Sequence, residues 1–187
     1  MANNYNLMRK GFRILNRFFT VPAFRLGLGR FIGSPFGGYM MVIKNRGHLS
    51  GKIRYTPVNY AIANGNIYCT AGFGSVSHWV KNLTNDPNVE LLLPGGAIAA
   101  TAEIVKPQKE KRAMLRQVLI NSGFAAYVFG GINAARVTEE KLSELTREYI
   151  VLRFHPTGIG AGPSDPSGWF WVWPTAALIA LIWWLVR

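Results

Sequence analysis

The sequence predicts an antiparallel β-barrel carrying a few helices, an α+β chain dominated by β structure. Three observations predict it. Apolar stretches of strand length follow one another in hairpin pairs, beginning with residues 39–44 and 53–63. Strong reversal signals, Asn64-Gly65 and Pro94-Gly95-Gly96, separate neighbouring strands. Helical periodicity occurs in only a few places and does not alternate regularly with the strands, which argues against a doubly wound sheet.

Residues 1–32 are a basic amphipathic segment. Arg9, Lys10, Arg13, Arg17, Arg25 and Arg30 are interleaved with Phe12, Leu15, Phe18, Phe19 and Phe24, the pattern of a partly helical stretch lying in a membrane interface; a helix docked on the domain is the structural alternative. Charges interrupt every apolar run before a seven-residue core forms, so no secretory signal is read here. Residues 33–157 make the barrel domain. Asn45 to Lys52 is a polar, glycine-containing reversal that brings Lys44, Arg46, Lys52 and Arg54 to one tip. Such a cluster is either solvated surface or a grip for a phosphate or carboxylate.

After a strand at 66–70 comes Ala71-Gly72-Phe73-Gly74-Ser75. Val76, Trp79, Val80 and Leu83 then fall at i, i+3, i+4 and i+7, an amphipathic helix expected to start near Ser75 and to stop at Asp86-Pro87. Glycines just before a helix start suit an anion, typically a phosphate, because unpaired N–H groups and the positive end of the helix dipole face that loop; a plain turn with Ser75 as N-cap is the competing reading. Strands follow at 89–93 and 97–105, then a helix at 107–122. Thr138 is an N-cap with Glu139 and Glu140 in the first turn, and the last strand is expected at 150–154. Residues 158–168 read as a Gly/Pro/Ser linker. The 18 residues Trp169–Val186 carry no charge and are bracketed by tryptophans, so 169–187 is expected to be a C-terminal membrane helix, an anchor holding the barrel on the cytoplasmic side.

Composition narrows the function. Hydrophobic residues are 49% and charged residues 16% of the 187, and the net charge is +12. Up to Asn85 there are eleven Lys or Arg and no acid; from Asp86 on, ten bases face nine acids. Lipid headgroups or a polyanionic small molecule are the partners such a field favours; with no helix-turn-helix, zinc-finger or RNA-binding signature, nucleic acid is set aside. Cys69 is the one cysteine, so neither an intrachain disulfide nor a cysteine metal cluster is available. His48, His78 and His155 show no metal-ligand spacing, His78 lying off the apolar stripe, and there is no nucleophile elbow or acid pair. A phosphate-type loop and a basic tip without acid/base machinery suit cofactor chemistry.

The spaced set Arg46-Gly47-His48-Leu49-Ser50-Gly51-Lys52-Ile53-Arg54, Thr56-Pro57-Val58, Ala71-Gly72-Phe73-Gly74-Ser75 and Trp79-Val80-Lys81-Asn82-Leu83-Thr84-Asn85-Asp86-Pro87 resembles the deazaflavin-dependent nitroreductase family. The resemblance implies a split β-barrel related to the flavin-binding pyridoxamine phosphate oxidases, a bound coenzyme F420 (a deazaflavin with a phosphate and a glutamate tail), and hydride transfer to or from an organic substrate. It implies that Ala71, Gly72, Phe73, Gly74 and Ser75 hold the cofactor, braced by Trp79 and Asn82. Lys44, Arg46, Lys52 and Arg54 would meet its anionic tail, with Pro57 and Val58 beside the ring. Tyr127, Tyr149 and Ser75 are the candidate proton donors. Phe73 and His78 depart from the family pattern, which keeps flavin mononucleotide (FMN) open as the alternative cofactor. A non-catalytic split barrel binding flavin, haem or lipid is the alternative of another class. Two copies of such a fold often pair. With both ends apolar and aromatic, the expected substrate is membrane-partitioned: a quinone, a lipid, or a nitro or enone compound.

Overall fold

The structure is a computed structural model that describes residues 11, 14–32, 38–72, 74, 77–123, 136–162 and 169–186. Six strands, β1 (Met40–Arg46), β2 (Ile53–Ala63), β3 (Asn66–Ala71), β4 (Asn88–Leu93), β5 (Gly96–Ile104) and β6 (Ile150–Ile159), close into a barrel in the order β1-β2-β3-β6-β5-β4, every pair antiparallel. Closure leaves no free sheet edge. The β2–β3 hairpin turns where expected: Asn64 and Gly65 have φ of +52° and +74°, the left-handed pair that a tight hairpin turn requires.

Strand alternation sorts side chains into an interior and an outer layer. Inside lie Met41, Ile43, Cys69, Leu91, Leu152 and Phe154, all buried; each large apolar side chain so buried contributes about 1.5–3 kcal/mol. Burial also pushes the Cys69 thiol pKa up. The helix α3 (His78–Asn85) joins β3 to β4 and adds Val80 and Leu83 to this interior cluster, with Trp79 packed against it. It therefore plugs one end of the barrel. On the outer face, α4 (Gln108–Asn121) and α5 (Glu139–Glu148) bury Leu115, Val118, Leu142 and Leu145 against Ala61, Tyr68 and Val151. Thr138 caps α5 as its sequence predicts, its hydroxyl accepting the Lys141 N–H at 3.3 Å.

The N-terminal segment is helical: a π-helical turn at Asn16–Thr20, α1 (Val21–Arg25) and α2 (Gly29–Ile32). Phe24 docks on Val42 and Leu92, and the Arg25 guanidinium sits 5.1 Å from the Tyr55 ring centre. Phe18, Phe19 and Phe31 stay exposed at 70%, 60% and 73%.

Three expectations are corrected. First, α3 begins at His78 rather than near Ser75, because Gly74 is left-handed (φ +55°) and Ser77, its N-cap, is extended. Second, β6 runs on to Ile159. Its Pro156 needs no ladder donor where a register shift at Ala99/Ala100 interrupts the pairing with β5. Third, Trp169–Val186 does form a helix, α6, and its side chains from Thr175 to Val186 are exposed, but among the described residues no helix is long and apolar enough to cross a membrane. Its 18 residues rise about 27 Å against a hydrocarbon core of about 30 Å, and Pro174 removes a backbone donor inside it. The membrane anchor and the cytoplasmic placement that rested on it are withdrawn. The tryptophan belt expected at Trp169, Trp171 and Trp173 lies outside the described side chains.

Candidate cofactor site

Chain connectivity assembles the site around the plugged end of the barrel. Leaving β3 at Ala71, which is buried in the interior cluster, the chain crosses the start of β6 at Gly72 and Gly74. A methyl group on Gly72 would come within 3.1–3.3 Å of the Tyr149 ring and hydroxyl, and one on Gly74 within 3.2 Å of the Glu148 carbonyl. Both positions are close approaches, Gly74 being held to glycine also by its left-handed backbone (φ +55°), and Tyr149 lies directly against the loop. Phe73, Ser75 and Tyr127 lie outside the described residues.

From Gly74 the path continues into α3. The Ser77 N–H donates to the Gly74 carbonyl (3.2 Å), and His78, the first helical residue, stacks on His48 from the β1–β2 tip, ring centres 6.4 Å apart and planes within 19°. Asn82, one turn further along α3 and buried, points its Oδ1 at the same His48. It accepts the backbone N–H at 3.0 Å and lies 2.6 Å from Nδ1. So Asn82 braces the basic tip, whereas the resemblance implied that it braces the glycine loop. The sequence reading named His48 but gave it no role at the site. A signal for it existed: Asn82 sits three residues after Trp79 on the apolar side of α3, and a polar group there needs a partner.

The tip itself is closed by the Gly47 N–H to the Lys52 carbonyl (2.9 Å) and the Gly51 N–H to the Gly47 carbonyl (2.8 Å), Gly51 having φ +64°. Its four cations do not form one cluster. Residues directly opposite in an antiparallel ladder share a face, so Arg54, opposite the buried Asn45, shares the inner side of β2 with Val58. Lys44 and Arg46 take the outer side. Lys44 is occupied, donating to Glu90 Oε1 at 3.2 Å and to the Gly162 carbonyl at 2.8 Å with its side chain 13% exposed. Arg46, Lys52 and Arg54 have no carboxylate within ion-pair distance among the described residues, Arg54 making one long contact to Ser50 Oγ (3.4 Å). Pro57 and Val58 divide in the same way: Pro57 pairs with outward Val42, Val58 with inward Met41. A ligand lying on one face of β2 meets one of them. Asn45 carries the remaining oddity, both amide atoms being buried without a partner beneath the tip.

This donor set fits an anionic cofactor. Three cations have no counter-ion among the described residues, and α3 contacts their tip through His48 and follows the glycine loop in the chain. Two concavities among the described residues lie elsewhere. One of about 590 Å³ lies between Leu83, Pro87, Lys106 and Arg153, and another of about 690 Å³ between Phe24, Leu92, Ile98 and Ile159; Gly72, Gly74 and the tip line neither.

A sequence model described as F420H(2)-dependent quinone reductase matches residues 21–131. No protein of curated function matches the sequence. Among solved structures, an F420 reductase is 10% identical over 66% of this chain and 90% of its own, with a TM-score of 0.43. The haem storage protein HutZ of Vibrio cholerae is 13% identical over 63% and 81%, with a TM-score of 0.40. General Stress Protein 26 of Bacillus anthracis is 12% identical over 74% and 90%, with a TM-score of 0.43. Likeness this distant is silent on function.

Proposed function

The chain belongs to the F420H(2)-dependent quinone reductase family, whose model spans more than half of it, and is an F420-dependent oxidoreductase; from that premise we propose that it reduces an apolar, membrane-partitioned quinone at the surface between the β1–β2 tip and the glycine loop. The observation that supports the reading is the set Arg46, Lys52 and Arg54, cations without a counter-ion among the described residues, linked through His48 and His78 towards Gly74. When bound, reduced F420 supplies the hydride. The residues of this chain supply position. Arg46, Lys52 and Arg54 hold the phosphate and glutamate tail; Gly72 and Gly74 let the ring approach the backbone; Trp79 keeps α3 seated so that the two do not drift apart. Tyr149, which packs against Gly72, is the proposed proton donor to the reduced acceptor.

The exposed Phe18, Phe19 and Phe31, with Arg17 and Arg30 lying over Phe18 and Phe31 at 5.5 and 5.7 Å, supply an apolar and cationic face suited to an anionic lipid surface, the place from which such a quinone is drawn. The test is direct. Purified protein is titrated with F420 and with FMN by fluorescence, then mixed with reduced F420 and a short-chain quinone. Tight binding of F420 alone and quinone-dependent oxidation of it are expected; binding of neither cofactor would sink the reading, and preference for FMN would transfer it to the flavin enzymes.

A further inference from the structure

The β1–β2 tip poses a mechanical problem. Gly47 and Gly51 make its loop compliant, and Arg46, Lys52 and Arg54 repel one another within nine residues of chain. A tip that swings cannot present three cations to one anion. We propose that Asn82 and His48 form a latch that sets the direction of this tip, making both of them positioning residues for the anionic tail of the cofactor; the inference rests on the tail contact proposed above.

Three observations carry it. Asn82 Oδ1 receives two donors from a single residue, the His48 backbone N–H at 3.0 Å and the ring Nδ1 at 2.6 Å, so both the position of the loop and the rotation of the ring are fixed. The backbone N–H can only donate, so the Asn82 atom facing it is the oxygen; that oxygen in turn requires a proton on His48 Nδ1. The latch has a rigid base, because Asn82 is buried on α3 between Val80 and Leu83, which are locked into the barrel interior. Finally, the His48 ring lies parallel to His78, whose neighbour Ser77 is bonded to Gly74. Tip and glycine loop are therefore held by one helix turn, and their spacing is set by the latch rather than by the loop between β1 and β2.

A purely structural contact and a positioning contact differ in which ligand notices its loss. Dissociation constants are measured for F420 and for the same deazaflavin chromophore lacking the phosphate and glutamate tail, with thermal midpoints as a folding control. His48→Ala keeps the backbone bond and removes the ring bond. It is expected to weaken F420 about fivefold to tenfold, the scale of one lost hydrogen bond, while the tail-less compound stays within about twofold. His48→Asn puts an amide donor where Nδ1 stood and is expected to recover most of the loss. Asn82→Ala removes both bonds and should exceed His48→Ala if it folds; the His48 pair decides the matter if it does not. Unchanged F420 affinity in His48→Ala, or equal weakening of both ligands, overturns the latch and leaves the cofactor site standing. Equal affinity of the unaltered protein for the two deazaflavins removes the tail from the tip, and the latch falls with it.

Discussion

Arg153 and Arg54 are the same residue type used in opposite ways. On the wall of the barrel, Tyr68, Arg153 and Glu103 stand in one row across β3, β6 and β5. Arg153 lies 2.6 Å from Glu103 and 3.2 Å from Glu110, while the Tyr68 hydroxyl donates to Glu110 at 2.9 Å and His155 Nε2 sits 3.2 Å from Glu103. Its charge is consumed internally. At the tip, Arg46, Lys52 and Arg54 meet no acid among the described residues, and the sequence shows part of the reason: the chain contains none before Asp86. Lys44 marks the boundary between the two regimes, since among the described residues it alone of the four tip cations reaches a carboxylate, on β4. Cations opposite acids serve the fold, and those without one among the described residues are the ones proposed for an outside anion.

That contrast is exposed to test. The largest effect should come from Arg46→Ala combined with Arg54→Ala, which is expected to weaken F420 by about tenfold to a hundredfold, or about 1.4–2.8 kcal/mol, and to flatten the salt dependence of binding. Lys44→Ala in the same titration should leave affinity nearly unchanged, and an equal loss would erase the distinction. Arg153→Ala comes next, with the reverse signature. It strips charged hydrogen bonds from Glu103 and Glu110 and should lower folding stability by about 1.5–3 kcal/mol in denaturant melts while F420 binding holds. The smallest concerns pH. His155 first, and Arg153 after it, hold Glu103 below the usual carboxylate range against a weaker desolvation. A depressed carboxylate stabilises the fold above its unfolded pKa, and that contribution is lost as pH falls through the lower folded value, so the loss belongs to the acid limb below about pH 4.3. Because Glu103 is nearly half exposed, His155→Ala should shift the acid limb of stability by no more than a few tenths of a kcal/mol, roughly. A larger shift would mean that the wall is buried more tightly than its exposure implies.

Local chemistry made much of the fold legible. β2 occupies Ile53–Ala63 as its flanking turns require, and Asn64-Gly65 supplies the left-handed turn for β3. The pairings β3–β6, β6–β5 and β4–β1 that close the barrel join residues far apart in the chain, and no local signal encodes them. The site divides along the same line. Gly72 and Gly74 announce themselves by type, and the strand alternation that splits Lys44 and Arg46 from Arg54, or Pro57 from Val58, was written in the period of two. Glu90, 46 residues from Lys44, and Asn82, 34 from His48, are partners that only the folded chain brings near. The three-residue displacement of the α3 start is a backbone matter, decided by the left-handed turn at Gly74 and the extended Ser77.

Cys69 gives the barrel a clock. Its sulfur sits at zero exposure on β3, two residues before the glycine loop begins, and it is the sole cysteine of the chain. Thiol reagents attack the thiolate, and both burial and the raised pKa withhold it while the strands remain zipped. Alkylation then counts openings of the barrel one molecule at a time. A compound that settles on the closed form alone slows that count by one plus the ratio of its concentration to its dissociation constant, so the affinity of a colourless ligand becomes readable from a single sulfur atom.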